Sequence, residues 1–142
     1  MVRAWGHTYG LPIIISHCSN NYGFYQFPEK LIPSIIIKAI RGEQIPIYGD
    51  GNQIRDWLYV NDHVKALILL LEKGRVGETY MIGGNKQMTN NNLAELICEI
   101  LEELRSKKPN GVNQYSDLIQ CVEERPAHDL RYAVDIKKIQ NE

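Results

Sequence analysis

Leu11-Pro12-Ile13-Ile14-Ile15-Ser16-His17, then Ser19-Asn20-Asn21-Tyr22-Gly23, then apolar residues at 32, 35, 36, 39 and 40, then Gln44-Ile45-Pro46-Ile47-Tyr48: this stretch decides the fold. The first run is short, apolar and rich in β-branched residues, as a buried strand requires. The polar segment after it reads as a loop. Ile32, Ile35, Ile36, Ala39 and Ile40 recur at helical spacing. Pro33 suits the first turn of that helix, where a missing N–H costs nothing, and Gly42 suits its end. Gln44 to Tyr48 reads as a second strand. A strand, a loop, a helix and a strand in succession point to an α/β protein.

Outward from this stretch the pattern repeats. Gly49-Asp50-Gly51-Asn52 is a turn. Asn61 or Asp62 caps a helix that reaches about Lys73 and stops at Gly74. Val64, Leu67, Ile68, Leu69, Leu70 and Leu71 make it apolar nearly all round. It is therefore expected to be buried between a sheet and another element. Glu78 to Ile82 reads as a third strand, closed by Gly83-Gly84. Thr89 or Asn90 opens a helix with Leu93, Ile97, Ile100, Leu101 and Leu104 on one stripe. Ser106 to Ser116 is polar and reads as a mobile loop. Leu118 to Val122 and Arg131 to Val134 read as two last strands. The sheet should be largely parallel, with ligands at the carboxyl ends of its strands, where Ser19 to Gly23 and Gly83-Gly84 lie.

The 142 residues are enough for one domain with its own core. With a formal net charge of −1, no charge excess points to nucleic acid or an anionic membrane as partner. Cys18, Cys98 and Cys121 are odd in number and widely spaced, without a C-x-x-C, which suits reduced thiols and not zinc. The apolar runs fall far short of the ~18 residues of a spanning helix. Val2-Arg3-Ala4-Trp5 does not resemble a secretory signal. The cytoplasm is the expected compartment.

Several motifs of catalysis are missing from the sequence. It has no G-x-x-G-x-x-G or G-x-G-x-x-G, no Tyr-x-x-x-Lys, no G-x-S-x-G and no H-E-x-x-H. Four polar features remain. Asn20 and Asn21 offer amide donors and acceptors that suit sugar hydroxyls or an amide-bearing cofactor; they suit a tight turn equally well. Arg55, between Ile54 and Asp56-Trp57, has the guanidinium fork that fits phosphate, against a surface Arg–Asp pair beside a buried tryptophan. In Glu124-Arg125-Pro126-Ala127-His128-Asp129, Arg125 and His128 could meet a diphosphate, while Glu124 or Asp129 could simply neutralise Arg125. Lys30, ahead of a helix start, could reach an anion or be solvated. His7, His17 and His63 read as structural.

Together these segments resemble the dTDP-glucose 4,6-dehydratase family of extended short-chain dehydrogenase/reductases. The resemblance rests on C-S-N-N-Y-G at Cys18 to Gly23 and F-P-E-K-L-I-P at Phe27 to Pro33. It rests further on P-I-Y-G-D-G-x-Q-I-R-D-W-L-Y-V-x-D-H at Pro46 to His63 and on R-P-x-H-D-x-R-Y-A at Arg125 to Ala133. The four occur in family order over nearly the whole chain. Related epimerases, decarboxylases and GDP-mannose dehydratases share the loop after the strand and an R-D/S-aromatic segment, but not usually the R-P-x-H-D-x-R-Y ending.

The resemblance implies the carboxyl-terminal part of such an enzyme: residual Rossmann-type strands and helices plus the small substrate-binding domain. Residues 1–142 would be one partial, nucleotide-sugar-binding domain, without the NAD-binding Rossmann half. It implies that Asn20 contacts substrate and that Asn21 lies near the NAD nicotinamide. Lys30 and Leu31 would line the diphosphate side, and Pro46, Ile47 and Tyr48 would wall the thymine and deoxyribose pocket. Arg55 and Arg125 would clamp the diphosphate, helped by Asn90 and His128. The substrate would be dTDP-glucose, dehydrated by transient hydride transfer to NAD. The catalytic Tyr-x-x-x-Lys would lie just upstream of Met1, with Val2 to Trp5 following its helix, and the eliminating Asp/Glu pair earlier still. Family members also continue past Glu142. Three departures stand out: Met81 in place of asparagine, Ala127 in place of glycine, and Glu124 in place of aspartate. The isolated chain would lack turnover and would pair with the missing half or with itself; the full-length family is homodimeric. Two other readings stand beside this one, a non-catalytic nucleotide-sugar-binding or interaction module and half of a UDP-sugar epimerase or decarboxylase.

Overall fold

The structure is a computed structural model that describes residues 1–105 and 107–142. Helices are α1 (Val2–Tyr9), α2 (Leu31–Arg41), α3 (Val60–Lys73), α4 (Asn90–Leu104) and α5 (Lys137–Asn141). Strands are β1 (Ile15–Cys18), β2 (Asn20–Tyr22), β3 (Ile45–Tyr48), β4 (Ile54–Tyr59), β5 (Thr79–Ile82), β6 (Gln87–Thr89), β7 (Ile119–Val122) and β8 (Arg131–Tyr132). The fold is α/β, and β1 with β5, β2 with β4, and β3 with β7 all run parallel. The chain forms two compact units. One comprises 1–23, 56–87 and 132–142; the other comprises 24–55 and 88–131.

In the first unit β1 lies beside β5, from Ile15 opposite Thr79 to Cys18 opposite Ile82. The apolar run begins four residues earlier, at Leu11, but the strand does not. Its partner starts only at Thr79, and the Ile13 carbonyl accepts instead from Gly77 N at 2.7 Å, within a turn. Leu58, Leu70, Tyr80 and Ile82 form this unit's core, with Ile14, Cys18, Ala66 and Ile139 packed around it. Val2 to Trp5 are themselves helical, in α1.

The second unit is built on α2, α4 and β3. Gly42, with φ 71°, ends α2 as expected. The Thr89 hydroxyl accepts from Asn92 N at 3.1 Å and caps α4. Leu93, Ala94, Ile97, Cys98 and Leu101 of α4 are buried, together with Ile35 and Ala39 of α2 and Ile45 and Ile47 of β3. Ile100 and Leu104 fall off this stripe and are exposed. A short 3-10 turn, Tyr115–Leu118, interrupts the polar segment after α4, of which Ser106 lies outside the described residues.

The structure departs from the sequence reading at three places. Asn20 to Tyr22 is a strand, not a loop, because β4 offers it a parallel edge: Asn20 lies opposite Trp57 and Tyr22 opposite Tyr59. β4 itself escapes a hydrophobicity reading. Its buried polar residue, Asp56, is bonded to main chain, and Arg55 stands beside it, so no continuous apolar run announces the strand. The third concerns α3. Only Leu70 is buried there, while Val64, Ile68, Leu69 and Leu71 are exposed. Its apolar circumference meets cover on one face only among the described residues.

Candidate functional site

The second unit gathers most of the expected binding residues. In β3 the side chains alternate, so Ile45 and Ile47 enter the core while Pro46 and Tyr48 face the other way. Ile47 is 1% exposed, so main chain is what it can offer a ligand. The Arg125 guanidinium lies over the Tyr48 ring, 4.1 Å from its centroid. This contact holds the guanidinium against an aromatic face, and a guanidinium so placed can keep N–H groups for an anion.

Glu124 does not neutralise the Arg125 guanidinium. Its Oε1 accepts from Arg125 N at 2.8 Å and meets His128 Nδ1 at 2.7 Å. The hydrogen bond from His128 holds the Glu124 carboxyl below the usual carboxylate range. Its other oxygen accepts from Gln53 Nε2. Gln53 is 2% exposed. Its Nε2 also donates to the Tyr48 carbonyl at 3.2 Å, and its Oε1 accepts from Asn90 Nδ2 at 3.1 Å. Sequence reasoning passed over Gln53, since a glutamine in a turn carries no signal of burial.

Arg55 is organised by main chain. Its guanidinium donates to the carbonyls of Ile54 and Asp129, each at 2.8 Å. It forms no pair with Asp56, because neighbours in a strand point to opposite faces. Asp56 is 2% exposed and accepts from Gly84 N at 3.1 Å and Lys86 N at 2.8 Å. It thereby fixes the turn after β5. The structure thus joins Arg55 to the segment that carries Arg125 and His128, and joins Asn90 and Tyr48 to the same segment through Gln53. Lys30 stands apart from these contacts. It is the residue that precedes α2, its ammonium lies 3.6 Å from Glu29, and its side chain is well exposed. Leu31 is the first residue of that helix.

The first unit holds the asparagine pair. Asn21 is committed at both ends of its amide. Its Nδ2 donates to the Ser19 carbonyl at 3.1 Å and to Cys18 Sγ at 3.3 Å, and His63 Nδ1 donates to its Oδ1 at 2.8 Å. That contact puts the proton on Nδ1 of His63. Asn20 is the opposite case, since its buried Oδ1 has no partner among the described residues. Trp57 Nε1, at the register position opposite Asn20, is likewise buried and unpartnered. A buried acceptor and a buried donor left open side by side are what a bound polar molecule would satisfy. Cys98 is buried, and its thiol is pushed up to about 11 by desolvation, so it is inert.

Residues 1–142 match the family model described as GDP-mannose 4,6 dehydratase. The chain belongs to that family. Among curated family members, the dTDP-glucose 4,6-dehydratase of Neisseria meningitidis serogroup B is 56% identical over 142 residues, all of this chain and 40% of that protein. The crystal structure of dTDP-glucose 4,6-dehydratase from Bacillus anthracis in complex with NAD superposes with a TM-score of 0.83 at 45% identity, over 98% of this chain and 40% of that one. A UDP-glucose 4-epimerase from Thermotoga maritima, with UDP-glucose, gives a TM-score of 0.82 at 28% identity, over 99% of this chain and 42% of that one. The chain therefore spans about 40% of the length of the dehydratases it resembles. Among its described residues no helix is long and apolar enough to cross a membrane.

Proposed function

We propose that this chain is the nucleotide-sugar-binding portion of a dTDP-glucose 4,6-dehydratase, a cytoplasmic NAD-dependent hydro-lyase that converts dTDP-glucose to dTDP-4-keto-6-deoxyglucose and water. The observation that carries the reading is the Arg125 fork, stacked on Tyr48 and tied through Glu124 to His128, Gln53 and Asn90. Identity favours the dehydratase over the epimerase, at 56% against 28%.

Arg125 and Arg55 supply planar, permanently charged donors for the diphosphate. Tyr48 and Pro46 share the solvent-side face of β3 and wall the base, with Ile47 contributing its main chain. Asn90 and His128 complete the grip, and Lys30 with Leu31 lines the diphosphate side at the start of α2. Asn20 presents its open acceptor to the substrate. Asn21, oriented by His63, is the residue of this chain that would meet NAD, which supplies the hydride acceptor when bound. A carboxamide is the kind of group that a fixed asparagine recognises. These residues bind and orient; remote binding energy of this sort positions the hexose for reaction. The 142 residues contain no Tyr-x-x-x-Lys, so proton and hydride chemistry is assigned to parts of the whole protein outside them.

Calorimetric titration of the purified chain with dTDP and with UDP tests the reading. Saturable binding that prefers dTDP is expected. Arg55→Ala should weaken it by about tenfold to a hundredfold, the scale of a charge-assisted hydrogen bond. No preference for dTDP, or no effect of Arg55→Ala, would count against it.

The apolar residues that α1 and α3 leave exposed also need a cover. They include Trp5, Val64, Ile68 and Leu71. The chain should therefore associate with the rest of its enzyme or with itself, as a homodimer when complete. Light scattering should give a mass that rises with concentration, and a constant monomer mass would refute the idea.

A further inference from the structure

We propose that Gln53 is a positioning residue for the diphosphate grip: without touching ligand, it sets the place of the loop that carries Arg125 and His128. The inference deepens the function proposed above and rests on it.

Three successive residues hold the 124–130 segment. Gln53 Nε2 donates to Glu124 Oε2, Ile54 N donates to the Leu130 carbonyl at 2.8 Å, and Arg55 Nη2 donates to the Asp129 carbonyl at 2.8 Å. The last two contacts hold one end of the loop. Gln53 holds the other, where Arg125 begins, because the carboxylate it binds also accepts from Arg125 N and meets His128 Nδ1. Every polar group of the Gln53 amide is used. Two donors face two acceptors, Tyr48 O and Glu124, and its one oxygen faces the donor Asn90 Nδ2. The amide can therefore sit only one way round. The Gln53 side chain bonds to Tyr48, Asn90 and Glu124 together.

The surrounding backbone makes room for this contact. Gly49 has φ 63°, and a Cβ there would lie 2.4 Å from Glu124 Oε2. Any other residue would push the carboxylate off Gln53. Asn90 N also donates to the Gln53 carbonyl at 3.1 Å, so main chain and side chain fix the same neighbour. A buried amide with all its valences met rigidifies what it joins, and partial satisfaction is costly.

Two variants of the chain test the proposal, each titrated with dTDP. Gln53→Leu keeps the bulk and removes all three bonds. Its dissociation constant should rise by about tenfold or more, while its thermal unfolding stays cooperative. Gln53→Glu places a second carboxylate against Glu124, where His128 is the other titratable group. Like charges this close repel while both are ionised at neutral pH, and that repulsion makes the pair take up one shared proton as pH falls. Binding by Gln53→Glu, relative to wild type at the same pH, should be weak at neutral pH and recover as the solution is acidified. A merely structural defect would not recover. Wild-type affinity in both variants overturns the inference, as does a Gln53→Glu ratio that stays flat with pH; the latter decides alone if Gln53→Leu does not fold. Wild-type chain that binds no dTDP overturns the proposed function and this inference with it, whereas binding by wild type and variants alike overturns this inference only.

Discussion

Helices α3 and α4 are nearly the same length, 14 and 15 residues, and both are rich in leucine and isoleucine. They are used very differently. α4 buries Leu93, Ala94, Ile97, Cys98 and Leu101, whereas α3 buries only Leu70. In the second unit α2 and the 3-10 turn at Tyr115 pack against α4 and cover its stripe. In the first unit the described residues cover one side of α3, and Leu71 remains 85% exposed against 7% for Leu101. Apolar character states what a helix needs. Burial records what the rest of the molecule supplies.

The sharpest way to break this comparison is a pair of truncations. Leu101→Ala should cost about 2–5 kcal/mol, because it opens a cavity in a packed core. Leu71→Ala should change stability by no more than about 0.5 kcal/mol, as surface changes do. Urea unfolding of both proteins measures the difference, and equal losses would mean that α3 is covered after all. A smaller effect, of opposite sign, is expected in the 124–130 segment. Ala127 has φ 55°, a left-handed conformation that penalises a Cβ. Ala127→Gly should recover about 1 kcal/mol in the same urea assay, and a loss would show that the methyl makes contacts outweighing the strain. The glycine usual in the family at this position thus has a conformational reason.

Acid gives the smallest effect. The carboxyls of Glu102 and Glu124 lie below their ordinary range, Glu102 chiefly through its hydrogen bond with Lys108 and Glu124 through that with His128. The native state therefore binds fewer protons than the unfolded one at these sites. Their contribution is fully present above the ordinary carboxylate range and is lost as pH falls through the folded values. Melting temperature should decline on acidification below about pH 4.5. Both groups belong to the second unit, so Glu124→Gln should flatten part of that decline, and an unchanged slope would show that Glu124 carries none of it.

Much of this architecture was legible because it rests on local signals. Ile32 to Ile40 with Gly42 specified α2, and Thr89 with Leu93, Ile97 and Leu101 specified α4, since spacing and caps act over a single turn. The motif Gln53 to Trp57 was legible as a candidate site, but not as the strand β4. A strand with Arg55 and a buried, bonded Asp56 near its start looks, in sequence, like a loop. Arg55 and Asp56 looked like a pair because they are adjacent, and the alternation of a strand sends them to different partners.

The sequence by itself determined the helices, the parallel α/β class, the family and the types of residue that can grip a diphosphate, because spacing, capping and motif order are properties of the chain. Only the tertiary structure decided that Gln53 is buried between Tyr48, Asn90 and Glu124, that Glu124 serves His128 and not the Arg125 guanidinium, and that α3 stays half uncovered among the described residues. The first depends on partners 37 and 71 positions away and the last on cover from other elements, and no local pattern encodes a distant neighbour.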